Sequence, residues 1–174
     1  MTPVSTGWRL GIIAATIVGA VLAVAHGTAP MIERNQRAAL AKDLADLTGV
    51  PLTTADLPSS TASTFVVCAE RRPVTVAIAR VAGYGGDIEL LIAVDDRVLR
   101  GARITRHQET PGIGDFIDRA RSPWIEQFAG RTLDAVESWP IDGVTGATIT
   151  TRAVIGGVKA LALESRTQVL GCET

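Results

Sequence analysis

The sequence predicts an α+β domain, a twisted antiparallel sheet with flanking helices, preceded by one N-terminal transmembrane helix. Three observations carry this: an uncharged apolar run from Leu10 to Ile32, four successive segments rich in Val, Ile and Thr between Thr64 and His107, and an amphipathic stretch after Thr150. The 174 residues suit one core rather than two. Lys and Arg number 17 against 18 Asp and Glu, a net charge of -1, so no basic field exists to attract nucleic acid, and no such partner is expected. Hydrophobic residues make up 47% and aromatics only 4%. The mean hydropathy of +0.26 is high for such a charge content and points to an uneven distribution along the chain.

The unevenness lies at the N-terminus. Arg9 is the only charged side chain from Met1 to Ile32, and nothing more polar than Thr16 interrupts Leu10 to Ala25. At about 1.5 Å rise per residue the run to Ile32 is long enough to cross a hydrocarbon layer of about 30 Å. Ala23-Val24-Ala25 also has the layout of a signal-peptide cleavage site, so a retained anchor and a cleaved signal both stand, with the anchor preferred for the uncharged extension past Ala25. Arg9 on one side and Arg34, Arg37 and Lys42 on the other leave the orientation open by charge alone. After Ile32, Ala39, Leu40, Leu44 and Leu47 recur at helical spacing up to the stop signals Gly49 and Pro51, which prolongs the helix into water, and the Ser/Thr-rich LTTADLPSSTAST reads as a linker. The expected layout is an anchor over 1–32, a juxtamembrane helix and linker over 33–63, and a globular domain over 64–174.

The strands are TFVVCAE, PVTVAIARV, DIELLIAVD and VLRGARITRH. Their breaks fall at Arg72-Pro73, at Gly83 to Gly86 and at a hairpin turn on Asp95-Asp96, and connections this short imply an antiparallel meander. Ile88, Leu90, Ile92 and Val94 alternate with Glu89, Leu91, Ala93 and Asp95, so one face is strongly buried. DFIDRARSPWIEQFAG reads as two short helices, Asp115 to Arg121 and Pro123 to Ala129, with Ser122 capping the second and Pro123 at its first position. A last helix over Thr150 to Glu164 places Val154, Ile155, Val158, Leu161 and Ala162 on one face.

Cys68 and Cys172 admit two readings, a disulfide closing nearly the whole domain or a small buried Cys68 with an inert tail thiol. His26 and His107 are the only histidines, and no CxxC or HExxH spacing occurs, so no metal site is expected. No GxGxxG after a strand, no GxxxxGK[ST] and no GxSxG is present, which removes the common nucleotide loops and a serine hydrolase elbow. Three stretches are too rich in Gly and small polar residues for a core: GYGGDIE, HQETPGIGD and DGVTGATITTRAV. In the last, Thr145, Gly146 and Thr148 precede an amphipathic helix, where free backbone N–H groups and hydroxyls offer either an anion site or a plain helix cap.

Asp142-Gly143-Val144-Thr145-Gly146-Ala147-Thr148 resembles the flavinylation motif Asp-x-x-Ser/Thr-Gly-Ala-Thr of FMN-binding domains that carry flavin in phosphoester linkage to a threonine. Together with GYGG, with His107 to Asp115 and with WIEQFAG, in that order behind an N-terminal apolar helix, it resembles the family of G subunits of the Rnf (Rsx) ion-translocating electron transport complex. The C subunit of the sodium-pumping NADH:quinone oxidoreductase is a related alternative, and a cofactor-free exported scaffold is another.

The resemblance implies covalent FMN on Thr148, attached by a separate flavin transferase that reads Asp142, with Thr145, Gly146 and Ala147 shaping the attachment turn. The segment Glu109, Thr110, Pro111, Gly112, Ile113 and Gly114 is the expected part of the wall for the flavin ring, with Thr110 supplying hydrogen bonds. Tyr84 is either a second ring contact or a loop aromatic covering the core, and His107 and Glu109 either contact the cofactor or fix their loop. No catalytic residue is implied, only a redox-carrier subunit of a translocase whose partners are other members of an inner-membrane complex. The resemblance places the domain on the periplasmic side, which suits a Cys68–Cys172 bridge.

Overall fold

The computed structural model describes residues 3–54, 57, 64–69 and 72–167. The chain divides into two compact units, Met1–Ala38 and Ala39–Thr174.

Helix α1 spans Pro3–Thr48 and is long and apolar enough to cross a membrane. In the first unit its large side chains, among them Leu10, Ile13, Ile17, Val21 and Val24, are exposed all round, as a lipid-facing helix requires. Its polar side chains turn inward to the backbone: Thr16 and Thr28 donate to the carbonyls of Ile12 and Val24 at 2.8 Å, and His26 Nδ1 lies 2.8 Å from the Leu22 carbonyl. Such i to i−4 bonding satisfies groups that hydrocarbon cannot hydrate.

The second unit is built on a five-stranded antiparallel sheet in the order β1-β2-β3-β4-β5. The strands are β1 Thr64–Ala69, β2 Arg72–Ala82, β3 Asp87–Asp95, β4 Val98–Arg106 and β5 Arg131–Thr132. The first four fall where the alternating pattern predicts; the two-residue β5 is too short to carry a period. Asp95 pairs with Val98, so the hairpin loop is Asp96-Arg97 rather than Asp95-Asp96. Asp96 takes φ 55°, which an Asp tolerates because its short polar side chain bonds locally.

Both faces of the sheet are covered. On one, Ile88, Leu90, Ile92 and Val94 pack with Ala77, Leu99 and Ala102 beneath α2 (Thr148–Thr167), whose Val154, Val158, Leu161 and Ala162 face them. On the other, Leu91, Ala93, Val74 and Val76 meet Leu44 and Leu47 from the last turns of α1. This explains why β3 is apolar at nearly every position instead of alternating cleanly. It also puts the start of the globular unit at Ala39, within the stretch the sequence suggests is a solvated juxtamembrane helix. A bulge makes the two faces compatible on β4: Val94 pairs with Leu99 but Ala93 with Gly101, so Arg100 is extra and Leu99 and Ala102 share one face. Arg100 holds the Asp95 carboxylate at 2.7 Å and donates to the Thr48 carbonyl at the end of α1, where Gly49, at φ 73°, donates to Ala45.

Between β4 and α2 the chain forms three short 3-10 helices, Asp115–Ile117, Pro123–Phe128 and Leu133–Ser138. The first two are tighter and shorter than the α-turns expected, and the third has no counterpart in the sequence reading. Ser122 caps the second, accepting from the Trp124 N–H, with Pro123 at its first position as predicted. Trp124 stands edge-on to Phe116 and Phe128, and these helices seal the core at the end of the sheet. Arg103, buried on β4, donates to Asp46 at 2.7 Å and lies 3.5 Å from Glu126, while Arg119 bridges the same two carboxylates.

Two adjacent glycines of α2 predict opposite outcomes. A Cβ on Gly157 lies 2.3 Å from Leu90 Cδ1 and 2.6 Å from Val81 Cγ1, whereas one on Gly156 meets open space. Gly157→Val is expected to lower stability by roughly 1–3 kcal/mol through overpacking. Gly156→Ala should raise it by about 0.5–1 kcal/mol through helix propensity, and thermal and urea unfolding followed by circular dichroism checks both. The second prediction concerns acid. The Arg103 hydrogen bond holds the Asp46 carboxyl below the usual carboxylate range, while burial pushes Asp43 up. A lowered folded pKa gives stability that is complete above the unfolded value of 3.8 and lost as pH falls through the folded one. Asp46→Asn should therefore be less stable than wild type at neutral pH, with the difference closing below about pH 4; the Asp46 charge also helps to raise Asp43, so the substitution relaxes Asp43 and offsets part of the loss.

Candidate functional site

The three Gly-rich stretches converge on one side chain. Glu109, in the loop after β4, is buried at 6% exposure; its Oε1 accepts from the Gly85 N–H at 3.1 Å and its Oε2 from the Thr150 hydroxyl at 2.6 Å. Gly85 belongs to the β2–β3 turn and Thr150 to the first turn of α2, so a single carboxylate joins segments distant in sequence. The glycines around it leave room for this and little else. A Cβ on Gly83 lies 2.2 Å from Glu109 Oε1, one on Gly85 lies 2.3 Å from the Gln108 carbonyl oxygen, and one on Gly114 lies 2.3 Å from Glu109 Cβ. His107 accepts the Glu109 backbone N–H through Nδ1 at 3.3 Å. Both residues thus hydrogen-bond to the loops around them, and Glu109 also lines the cleft described below.

Beyond Glu109 the chain closes a tight turn in which Ile113 and Gly114 both donate to the Thr110 carbonyl, at 3.1 and 2.8 Å. Asp115 accepts from the Gly112 N–H at 2.9 Å and is itself paired with Arg121 at 3.0 Å. The turn holds its shape without the sheet and presents Ile113 outward.

The second wall is the start of α2. Trp124 donates its indole N–H to the Asp142 carbonyl at 2.7 Å, and Gln127 Oε1 accepts the Asp142 N–H at 2.9 Å, so the 3-10 helix over Pro123–Phe128 anchors the motif's first residue through its backbone. The Asp142 side chain is left exposed. Ala147 donates to Val144 at 3.2 Å, and Thr151 donates to Ala147 as the first α-helical bond. Gly146 takes φ 87°, a backbone conformation that disfavours side chains, although the space beside it is open. Helix α2 starts at Thr148, two residues before its expected start, so Thr148 occupies the first turn, where backbone N–H groups have no intrahelical acceptor.

Between the walls lies a cleft of about 360 Å³ lined by Tyr84, Glu109, Thr110, Ile113, Gly146, Ala147, Thr148, Ile149 and Thr150. The sequence reading names Tyr84, Glu109, Thr110, Gly146, Ala147 and Thr148, and all of these line it. Tyr84 is 71% exposed at the rim and does not cover the core. Asp142, Thr145, Pro111, Gly112 and Gly114 stand outside the lining: Gly114 supports Glu109 from behind, Gly112 makes the turn at φ 83°, and Thr145 and Pro111 are exposed nearby in the chain. Ile113, 58% exposed, lines it too, within the expected wall segment, whereas Ile149, 55% exposed, and the buried Thr150 are lining residues that the sequence does not mark as such. An apolar side chain inside the Gly/Thr-rich motif was the available signal for Ile149. Cys68 lies on β1, and Cys172 falls outside the described residues.

Residues 83–162 match the family model of the FMN-binding domain, a span that runs from the GYGG turn through most of α2 and contains the whole cleft. The chain is similar to the G subunit of the ion-translocating oxidoreductase complex of Salmonella typhi, 38% identical over 119 residues that cover 62% of this chain and 58% of the relative. It is also similar to the corresponding G subunit of Photorhabdus laumondii, 43% identical over 108 residues covering 55% and 51%. The chain thus spans a little over half the length of these curated relatives. Among solved structures, the C subunit of the Na(+)-translocating NADH-quinone reductase of Parabacteroides distasonis is 22% identical, with a TM-score of 0.49 over 62% of this chain and 63% of that one.

The packing around Glu109 generates a prediction. Gly85→Ala forces a methyl against a backbone carbonyl, so it should cost roughly 1–3 kcal/mol, and the urea midpoint should fall accordingly. Tyr84→Ala, on an exposed rim residue, should change stability by less than about 0.5 kcal/mol.

Proposed function

We propose that this chain is a membrane-anchored flavoprotein subunit of an ion-translocating oxidoreductase complex, carrying FMN covalently on Thr148 and relaying electrons between partner subunits. The observation that carries the reading is the position of Thr148: an exposed hydroxyl in the first turn of α2, opening into an apolar-rimmed cleft inside the segment that matches the FMN-binding domain.

The residues present fit that cofactor. A phosphate esterified to Thr148 meets the free N–H groups and positive end of α2, worth about 0.3–1 kcal/mol at an exposed helix start. The open face of Gly146 leaves room for it. Tyr84, Ile113 and Ile149 offer exposed apolar surface for a flat heteroaromatic ring, and Thr110 and the backbone of its turn supply polar contacts. Bound FMN supplies reversible uptake of electrons, and the protein supplies orientation and electrostatics.

Thr145, three residues before Thr148, is exposed but stands outside the cleft lining, and the two hydroxyls that follow Thr148 within three residues are both already engaged. Thr150, 2% exposed, donates to Glu109, and Thr151 is buried and accepts the Val144 N–H at 3.4 Å. This supports Thr148 as the attachment point. The exposed Asp142 side chain suits a recognition element for a flavin transferase. Helix α1 supports an inner-membrane anchor, and a periplasmic location of the domain, where a Cys68–Cys172 bridge persists, completes the reading. A carrier outside the cytoplasm gains from a covalent link because lost FMN is not readily replaced there.

Full-length protein made with a flavin transferase should run as a fluorescent band under ultraviolet light after denaturation. A dark band would sink the carrier reading in favour of a cofactor-free scaffold. Peptide mass mapping should find the adduct on the Thr148 peptide, lost in Thr148→Ala and kept in Thr151→Ala. Labelling of single introduced cysteines in intact cells should find the globular unit outside the cytoplasm.

A further inference from the structure

Resting on that reading, we infer that Glu109 is a positioning and potential-setting residue: its buried carboxylate locks the ring-side loop to the attachment helix and depresses the reduction potential of a flavin held in the cleft. Glu109 lines the cleft yet is almost wholly buried, and its carboxylate oxygens accept from the Gly85 N–H and the Thr150 hydroxyl. Both partners donate, as suits the ionised, acceptor-only form of a carboxylate. Both are neutral, and no Lys, Arg or His ion pair to Glu109 is found among the described residues. The other acidic side chains of the globular unit that enter ion pairs, such as Asp46, Glu89, Asp95, Asp115 and Glu126, do so with arginine.

A negative charge held by neutral donors at the wall of a cleft keeps its field, because water and counter-ions screen it little. Two-electron reduction of the flavin takes up one proton from solvent to give the anionic reduced ring, one charge more negative than the oxidised ring, and that field opposes the added charge. The oxidised form is thereby favoured. The Thr150 hydroxyl works in the other direction, since its bond at 2.6 Å draws off part of the carboxylate's charge. The same bond ties the field to the turn of α2 that carries Thr148, so the charge and the attachment point share one rigid element.

The test is a redox titration of the intact, flavin-loaded protein with a chemical reductant, followed by flavin absorbance, with intact mass confirming the adduct. Glu109→Gln should raise the ratio of reduced to oxidised flavin at fixed ambient potential at least tenfold, about 30 mV for a two-electron couple. Thr150→Val, which leaves the charge with one donor fewer, should lower it. A merely structural role predicts reduced melting temperatures with potentials unmoved, or shifts of the same sign in both variants, and either result overturns the inference. Where Glu109→Gln fails to accumulate, Thr150→Val decides alone, an unmoved or raised potential overturning the inference. Wild-type protein without flavin would overturn both this inference and the functional reading, whereas loaded wild type with unshifted variants would overturn this inference only.

Discussion

A carboxylate with no room around it governs the functional end of this domain. Glu109 sits where the β2–β3 turn, the loop after β4 and the first turn of α2 come together, and each contributes something the carboxylate demands: a backbone N–H from Gly85, a hydroxyl from Thr150 and absent side chains at Gly83 and Gly114. A buried charge left without donors is expensive, and its network is secure only when every member is satisfied. The three motifs that look like separate sequence signatures are therefore the parts of one packing problem. Changing any of them disturbs the carboxylate, and through it the relation of the other two.

The sheet beneath this end is buried on both faces, which is unusual for a short antiparallel meander and follows from where α1 ends. Leu44 and Leu47 cover Val74, Val76, Leu91 and Ala93, and α2 covers the opposite face. The bulge at Arg100 changes the parity of β4, so Leu99 and Ala102 both face α2, while Arg103 emerges on the far side against Asp46. The Arg103, Arg119, Asp46 and Glu126 cluster then fixes the end of α1 to the 3-10 helix that holds Asp142. Packing on one side of the sheet is thus coupled, through charge, to the loop that opens the second wall of the cleft.

How much of this is legible in the sequence depends on whether a feature has a period or a name. The four long strands and the face of α2 are periodic, and their residues announce them. The Ser122 cap, the Pro123 start and the Gly49 stop are local chemistry and are equally plain. The 3-10 helices carry too few turns for a period, and the third goes unseen. The role of Leu44 and Leu47 is hidden because an apolar stripe shows that a helix face is covered but not by what. At the site, the flavinylation-type motif draws the eye to Thr148. The closure of Glu109 on Thr150 spans 41 residues, and Ile149 looks like an ordinary apolar residue until the fold leaves it exposed.

The run Thr148-Ile149-Thr150-Thr151 puts three chemically equivalent secondary alcohols within one helical turn, and reactivity alone cannot tell them apart. The fold resolves the ambiguity much as a synthetic chemist would, by masking. One hydroxyl is tied to a carboxylate, a second to a backbone amide, and both are withdrawn from solvent. On the proposed reading, an enzyme that modified this helix end would need only to dock against it, because regioselectivity would already be written into the fold. By the same logic, a partly unfolded chain would lose its masks, so a clean single modification is itself a report that folding came first.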